Sequence, residues 1–216
     1  MQKIKTYILN TKIFEDELLF YEILNIMPSS RKDKTERIRV ESDKRLSLGA
    51  GVLINIILGI NEDELTLNEY GKPYVDGGGS FFNVSHSGEY AIMSVGDCEV
   101  GCDIEKIKDI NANKIANRFF FNDEYVALQA AENDEKRLDL FYRLWTLKES
   151  FMKAAGKGLA LGLDSFCINL SEPPTVTQNE VEGDFCFKEY SPDGYKIAVC
   201  AAGKAEFEVD LTEVEI

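Results

Sequence analysis

Hydrophobic and polar residues alternate weakly over residues 3–9, the period-two pattern of a strand. Residues 15–25 (EDELLFYEILN) change to helical spacing and are stopped by Pro28. A polar stretch follows, and residues 46–60, rich in Leu, Ile, Ala and Gly, read as a buried helix. Tyr70-Gly71-Lys72-Pro73 reads as a turn. Residues 81–85 (FFNVS), 90–95 (YAIMSV) and 99–105 (EVGCDIE) are short strand patterns separated by turn residues. Residues 111–131 read as one or two helices around Phe119-Phe120-Phe121. Over residues 137–155, Leu138, Phe141, Leu144, Trp145 and Met152 keep near-helical spacing, and Gly156 and Gly158 supply a stop. Strand patterns return at 165–170, 185–190 and 195–200.

The order repeats. The helix at 46–60 leads to Gly71-Lys72, a strand and YAIMSV; the helix at 137–155 leads to Gly156-Lys157, a strand and YKIAVC. This predicts an α+β fold of two pseudo-symmetric halves, residues 1–102 and 103–216, each a small antiparallel sheet packed with a long helix. A crevice between such halves is the expected ligand site.

Composition narrows the class. The chain has 216 residues, 44% of them hydrophobic, enough for a buried core. Its 24 Lys and Arg against 38 Asp and Glu give a net charge of −14, which argues against nucleic acid or an anionic membrane as partner. Five scattered cysteines without a C-x-x-C, beside a single histidine, argue against a zinc site and for reduced thiols. No segment reads as a signal peptide or a membrane span, so a cytoplasmic location is expected. Against this acidic background, residues 29–45 hold seven basic side chains (Arg31, Lys32, Lys34, Arg37, Arg39, Lys44, Arg45) and four acidic ones. Either a solvated helix face or a phosphate site accounts for such a segment.

Three clusters could carry chemistry. Asp103 and Glu105 are two apart on a strand and share a face, where they repel unless a cation lies between them; carboxylates of this kind suit Mg²⁺. Glu149 and Lys153 are four apart on a helix, and Lys148, Lys153 and Lys157 lie within about two and a half turns. That group is either a surface ion pair or part of a polyphosphate site. The sole histidine, His86, lies in Phe82-Asn83-Val84-Ser85-His86-Ser87-Gly88. This stretch suits hydrogen bonding to phosphate better than a Ser-His-Asp triad, for which no G-x-S-x-G elbow exists. Neither a Walker A sequence nor a dinucleotide fingerprint is present.

Taken in order, Gly71-Lys72-Pro73, Asn83-Val84-Ser85-His86-Ser87, Val100-Gly101-Cys102-Asp103-Ile104-Glu105, Arg118-Phe119-Phe120 and Trp145-Thr146-Leu147-Lys148-Glu149-Ser150-Phe151-Met152-Lys153 with Gly156-Lys157-Gly158 resemble the 4′-phosphopantetheinyl transferases of the surfactin-synthetase-activating type over residues 28–200. The family pattern differs at Cys102 and at Ser29-Ser30, where close relatives place lysines.

The resemblance implies Mg²⁺-dependent transfer of the phosphopantetheine arm of coenzyme A to a serine of an apo acyl or peptidyl carrier protein, releasing 3′,5′-ADP. It implies Asp103, Glu105 and Glu149 as ligands of Mg²⁺, with Mn²⁺ a possible substitute. Glu149 and Lys153 are the expected catalytic residues, and Arg45, Lys72, Ser85, His86, Lys148 and Lys153 the expected coenzyme A contacts. A monomer is expected, its two halves acting as a dimer within one chain. The competing readings are a Mg²⁺-dependent nucleotide phosphohydrolase with the same carboxylates, and a non-catalytic coenzyme A- or carrier-binding scaffold.

Overall fold

The computed structural model describes residues 2–216, with the side chain of Leu159 set aside. The first repeat comprises β1 (Gln2–Asn10), α1 (Glu17–Ile26), α2 (Ser29–Arg37), α3 (Glu41–Leu58), a short hairpin β2 (Thr66–Leu67) and β3 (Pro73–Tyr74), β4 (Phe81–Ser87) and β5 (Tyr90–Gly96). The second comprises β6 (Val100–Lys106), α4 (Ala112–Phe119), α5 (Asn122–Gln129), α6 (Asp134–Ala155), β7 (Cys167–Asn169), β8 (Thr175–Thr177), β9 (Phe185–Tyr190) and β10 (Tyr195–Ala202). Strands β11 (Ala205–Phe207) and β12 (Thr212–Glu213) close the chain.

Within each repeat a strand, a long helix and a hairpin follow in the same order. The sheets match as well, β1-β5-β4 in the first and β6-β10-β9 in the second, all pairs antiparallel. The repeat boundary therefore falls in Asp97-Cys98-Glu99, ahead of β6. The cut expected at 102/103 would run through that strand. Strands β11 and β12 cross back and pair in parallel with β1, so the first sheet is completed by residues from the far end of the chain.

Local chemistry sets the long helices. Asn133 caps α6 by accepting the Lys136 N–H at 2.8 Å, Asp134 and Glu135 complement the helix dipole, and Gly156 ends it at φ +69°. Helix α3 starts five residues earlier than its apolar run, on a first turn carrying Glu41 and Asp43, and ends at Gly59 with φ +68°. The charged segment before it forms α2, pinned by Arg31. That side chain is buried over Gly51 and bonded to Glu62 and to the Ser47 carbonyl.

Helix α3 packs on β4 and β5, α6 on β6 and β10. Between the two sheets, Ile4, Ile8, Ile92, Val100, Cys102, Ile104, Ile197 and Val199 form a shared core. The alternate residues of β6 face α6, and there Gly101 decides the spacing. A Cβ at this position would lie 2.2 Å from the Ser150 carbonyl oxygen and 2.3 Å from the Ala154 nitrogen. Both are backbone atoms of a helix and cannot rotate away. Gly101→Ala is expected to force α6 off β6 and cost about 3 kcal/mol, the upper end of overpacking penalties. A denaturant midpoint equal to wild type would show that the helix is not seated on this glycine.

Candidate active site

The site grows from the seam between the repeats. Strands β4 and β6 run side by side in the same direction without a backbone ladder. Three side chains of β4 replace it: Asn83 Oδ1 accepts the Cys102 N–H at 3.0 Å, Ser85 Oγ that of Ile104 at 3.4 Å, and Ser87 Oγ that of Lys106 at 3.1 Å. Period-two alternation puts these three on one face. The two serines then donate to the acidic residues of β6. Ser85 Oγ–H bonds Asp103 Oδ1 at 2.9 Å, and Ser87 Oγ–H bonds Glu105 Oε2 at 2.8 Å.

The close approach at Gly101 brings α6 over these carboxylates. Lys153 Nζ reaches Asp103 Oδ1 at 2.6 Å, the Cys102 carbonyl at 3.1 Å and Ser85 Oγ at 3.2 Å, which occupies all three of its protons. Burial lowers the pKa of this ammonium, but Asp103, with smaller help from Cys102 and Glu149, offsets that and the net shift is upward. Burial raises the pKa of Glu149, and the Asp103 and Glu105 charges raise it further against the pull of Lys153. Glu105 is pushed up in the same way, by burial and then by Asp103, with the Ser87 hydrogen bond opposing.

Three carboxylates thus share a partly buried site with one ammonium. Asp103 Oδ2 is buried and has no hydrogen-bond partner among the described residues. An orphaned anionic oxygen among mutually repelling carboxylates is a donor set that fits a hard divalent cation. No group of three or more acidic, His or Cys side chains among the described residues is closed to metal-ligating distance. In this state Lys153 serves as the counter-cation of Asp103.

His86 lies on the other face of β4 from Ser85. Partial enclosure lowers its pKa, as do the charges of Lys153, Lys34 and Arg31. Of the three basic residues nearest the start of the segment, Arg31 is committed to Glu62 and Ser47, and Lys32 bonds the Asn25 carbonyl at 2.7 Å. Lys34 is the one whose charge reaches His86 without a protein partner of its own among the described residues. Lys72 reaches Glu99 at 2.5 Å and the carbonyls of Val100 and Ala154, tying the β2–β3 turn to the start of β6 and the end of α6. Arg45 points to Glu15, at 3.6 Å.

Comparison with known proteins decides the class. The model of the 4′-phosphopantetheinyl transferase superfamily matches residues 99–200. The chain is 38% identical to the 4′-phosphopantetheinyl transferase ffp of Bacillus subtilis over 89% of both chains. The chain belongs to the 4′-phosphopantetheinyl transferase superfamily. It is also 37% identical to the transferase Sfp of Bacillus subtilis strain 168, over 88% of both chains. Among solved structures, a holo-[acyl-carrier-protein] synthase of Thermotoga maritima overlaps half of this chain and 64% of its own, with 20% identity and a TM-score of 0.43. The nucleotide phosphohydrolase alternative finds no support in these comparisons.

The transferase separates several residues that the sequence grouped. Ser85 is turned to Asp103 and Lys153 and away from His86, because neighbours on a strand point to opposite faces. Arg45 is turned to the 3₁₀ turn over Thr11–Glu15 and its Glu15. Lys148 does not line the site at all. Its side chain is fully buried, with Nζ at 2.6 and 2.7 Å from the two Glu124 oxygens, 2.9 Å from the Phe166 carbonyl, and 4.2 Å from the Phe166 ring centroid. Glu124 is further satisfied by the Phe121 and Ile168 N–H groups. Sequence reading missed Glu124 as the partner of Lys148 and gave Asn83 and Ser87, within the stretch read as phosphate-bonding, no part in joining the strands. The period-two N-x-S-x-S pattern was the available signal for the seam.

Two outcomes follow for the transferase. Lys148→Met should cost about 3–5 kcal/mol, because it leaves Glu124 buried and unpaired, while the folded enzyme keeps its KM for coenzyme A; a large KM increase in a protein of normal stability would return Lys148 to the ligand. Glu149→Gln tests the cost of burying this charge beside Asp103 and Glu105. The folded pKa of Glu149 is raised, so wild type loses stability as pH climbs from the ordinary carboxylate value through the raised one. The variant should therefore melt above wild type at neutral pH, by about 2–4 °C per kcal/mol of burial and repulsion cost relieved, and the gain should vanish in acid. A lower Tm at neutral pH would mean that the carboxylate is net stabilised where it sits.

Proposed function

We propose that this chain transfers the 4′-phosphopantetheine group of coenzyme A to a serine hydroxyl of an apo acyl or peptidyl carrier protein and releases 3′,5′-ADP. The observation that carries this reading is family membership over nearly the whole length of the relatives. The site chemistry supports it. Attack on a diphosphate needs neutralised charge and in-line positioning more than covalent catalysis, and an acidic protein that sets the charges of Lys153 and Lys34 within reach of His86 is suited to a polyanionic substrate.

Asp103, Glu105 and Glu149 would hold a Mg²⁺ ion. That ion, when bound, would neutralise the diphosphate and favour the departing phosphate. Glu149 accepts the proton of the carrier serine; its upward-shifted pKa brings it nearer the working pH, as suits a general base. The serine oxygen forms its bond to the β-phosphorus of the diphosphate as the bridging P–O bond breaks. Lys153 leaves Asp103 to meet the charge gathering on the leaving 3′,5′-ADP. His86 and Lys34 grip the 3′-phosphate, whose charge restores the imidazolium that partial burial and the surrounding cations disfavour in the free enzyme. The internal repeat supplies both walls of the seam, so a monomer suffices. Among the described residues, no helix is long and apolar enough to cross a membrane.

Incubation with labelled coenzyme A and a panel of apo carriers should label a carrier serine, release 3′,5′-ADP and stop on chelation. In the same assay His86→Ala should raise the KM for coenzyme A about ten- to a hundredfold, the worth of a charge-assisted hydrogen bond, and leave dephospho-coenzyme A nearly unaffected. Phosphate release without a carrier would identify a hydrolase, and binding without transfer a scaffold.

A further inference from the structure

The mechanism leaves Ser87 without a task, yet this side chain is 9% exposed and placed between two fixed partners. Its Oγ lies 3.1 Å from the Lys106 nitrogen and 2.8 Å from Glu105 Oε2. A backbone N–H can only donate, so it takes a lone pair of the hydroxyl. An ionised carboxylate can only accept, so it takes the single proton. The direction of the hydroxyl is therefore determined from both sides, and with it the position of one Glu105 oxygen. Ser85 repeats the construction one step earlier on the strand. It accepts from Ile104 N–H and donates to Asp103 Oδ1, which leaves Oδ2 as the orphan. Each carboxylate of the pair has one oxygen tethered to the first repeat and one left over.

Without its tether, Glu105 would turn about its side-chain bonds away from Asp103, whose charge repels it. We propose that Ser87 is a positioning residue of the transferase: it holds the Glu105 carboxylate beside Asp103 so that both present a single free oxygen to a divalent cation. The proposal rests on the metal-dependent reading given above. Hydrogen bonds that orient metal ligands in this way are worth about 10–100-fold in metal affinity.

The test is direct titration of Mn²⁺, followed by electron paramagnetic resonance, into wild type, Ser87→Ala, Ser87→Cys and Ser87→Thr with coenzyme A saturating. Loss of the donor in Ser87→Ala, or its weakening in the similarly sized Ser87→Cys, should lower Mn²⁺ affinity about tenfold or more, with Ser87→Thr within about twofold of wild type. The KM for coenzyme A at saturating metal should be unchanged. If Ser87 merely accepts the Lys106 N–H to hold the seam, Ser87→Ala and Ser87→Cys will lower Tm and leave Mn²⁺ affinity as in wild type, and the proposal fails. It fails equally if Ser87→Thr binds as weakly as Ser87→Ala. Should Ser87→Ala not fold, Ser87→Cys decides. A wild-type protein that transfers phosphopantetheine but binds no Mn²⁺ would instead remove the metal reading itself, and this inference with it.

Discussion

Two strand edges that meet without a ladder organise this molecule. Had β4 and β6 paired through their backbones, the repeats would have merged into one sheet and the N–H groups of Cys102, Ile104 and Lys106 would have been consumed by carbonyls. Asn83, Ser85 and Ser87 take those N–H groups instead. A side-chain acceptor has a property that a carbonyl lacks: a hydroxyl that accepts still has a proton to give. The seam thus satisfies the backbone, as burial requires, and in the same bonds aims the two carboxylates that follow on β6. Gly101 does the complementary job from above, letting α6 approach close enough for Lys153 to touch Asp103.

The two lysine–carboxylate pairs of α6 show how differently one helix can use the same chemistry. Lys148 and Glu124 are sealed from water, and every donor and acceptor of the pair is matched by backbone and aromatic neighbours. Such a pair has no spare valence and can only hold α5, α6 and β7 together. Lys153 and Asp103 are partly open, one Asp103 oxygen is unmatched, and two further carboxylates press on the same space. That second pair is electrostatically unfinished, and an unfinished pair is one that a ligand can rearrange.

Much of this was legible in the sequence, for identifiable reasons. The spacing of Asp103 and Glu105 reports a shared strand face whatever the fold, and that of Glu149 and Lys153 a shared helix face. The repeat was visible because helix, turn and strand recur in one order, although its boundary had to come from the pairing of β6 with β10. Lys148 was misjudged because α6 is packed on several sides, so a lysine pointing inward has the same sequence signature as one pointing into a crevice; its partner Glu124 is distant in sequence. Arg31 was counted among the basic residues available to a ligand, and only the contact with Glu62, from a different turn, withdraws it. Strands β11 and β12 are three and two residues long and pair with the opposite end of the chain, which local patterning does not register.

Those two strands have a consequence for how the molecule is made. Strand β1 is made before the second repeat, but among the described residues one of its edges is covered only by residues 205–207 and 212–213. During synthesis the first sheet therefore waits with an open margin until the second repeat has been translated, and closing it joins segments far apart in sequence, the slow kind of contact. Vectorial folding of the N-terminal repeat alone would leave that margin exposed to other nascent chains. The tail acts as the clasp that completes the first repeat only after the second has been built.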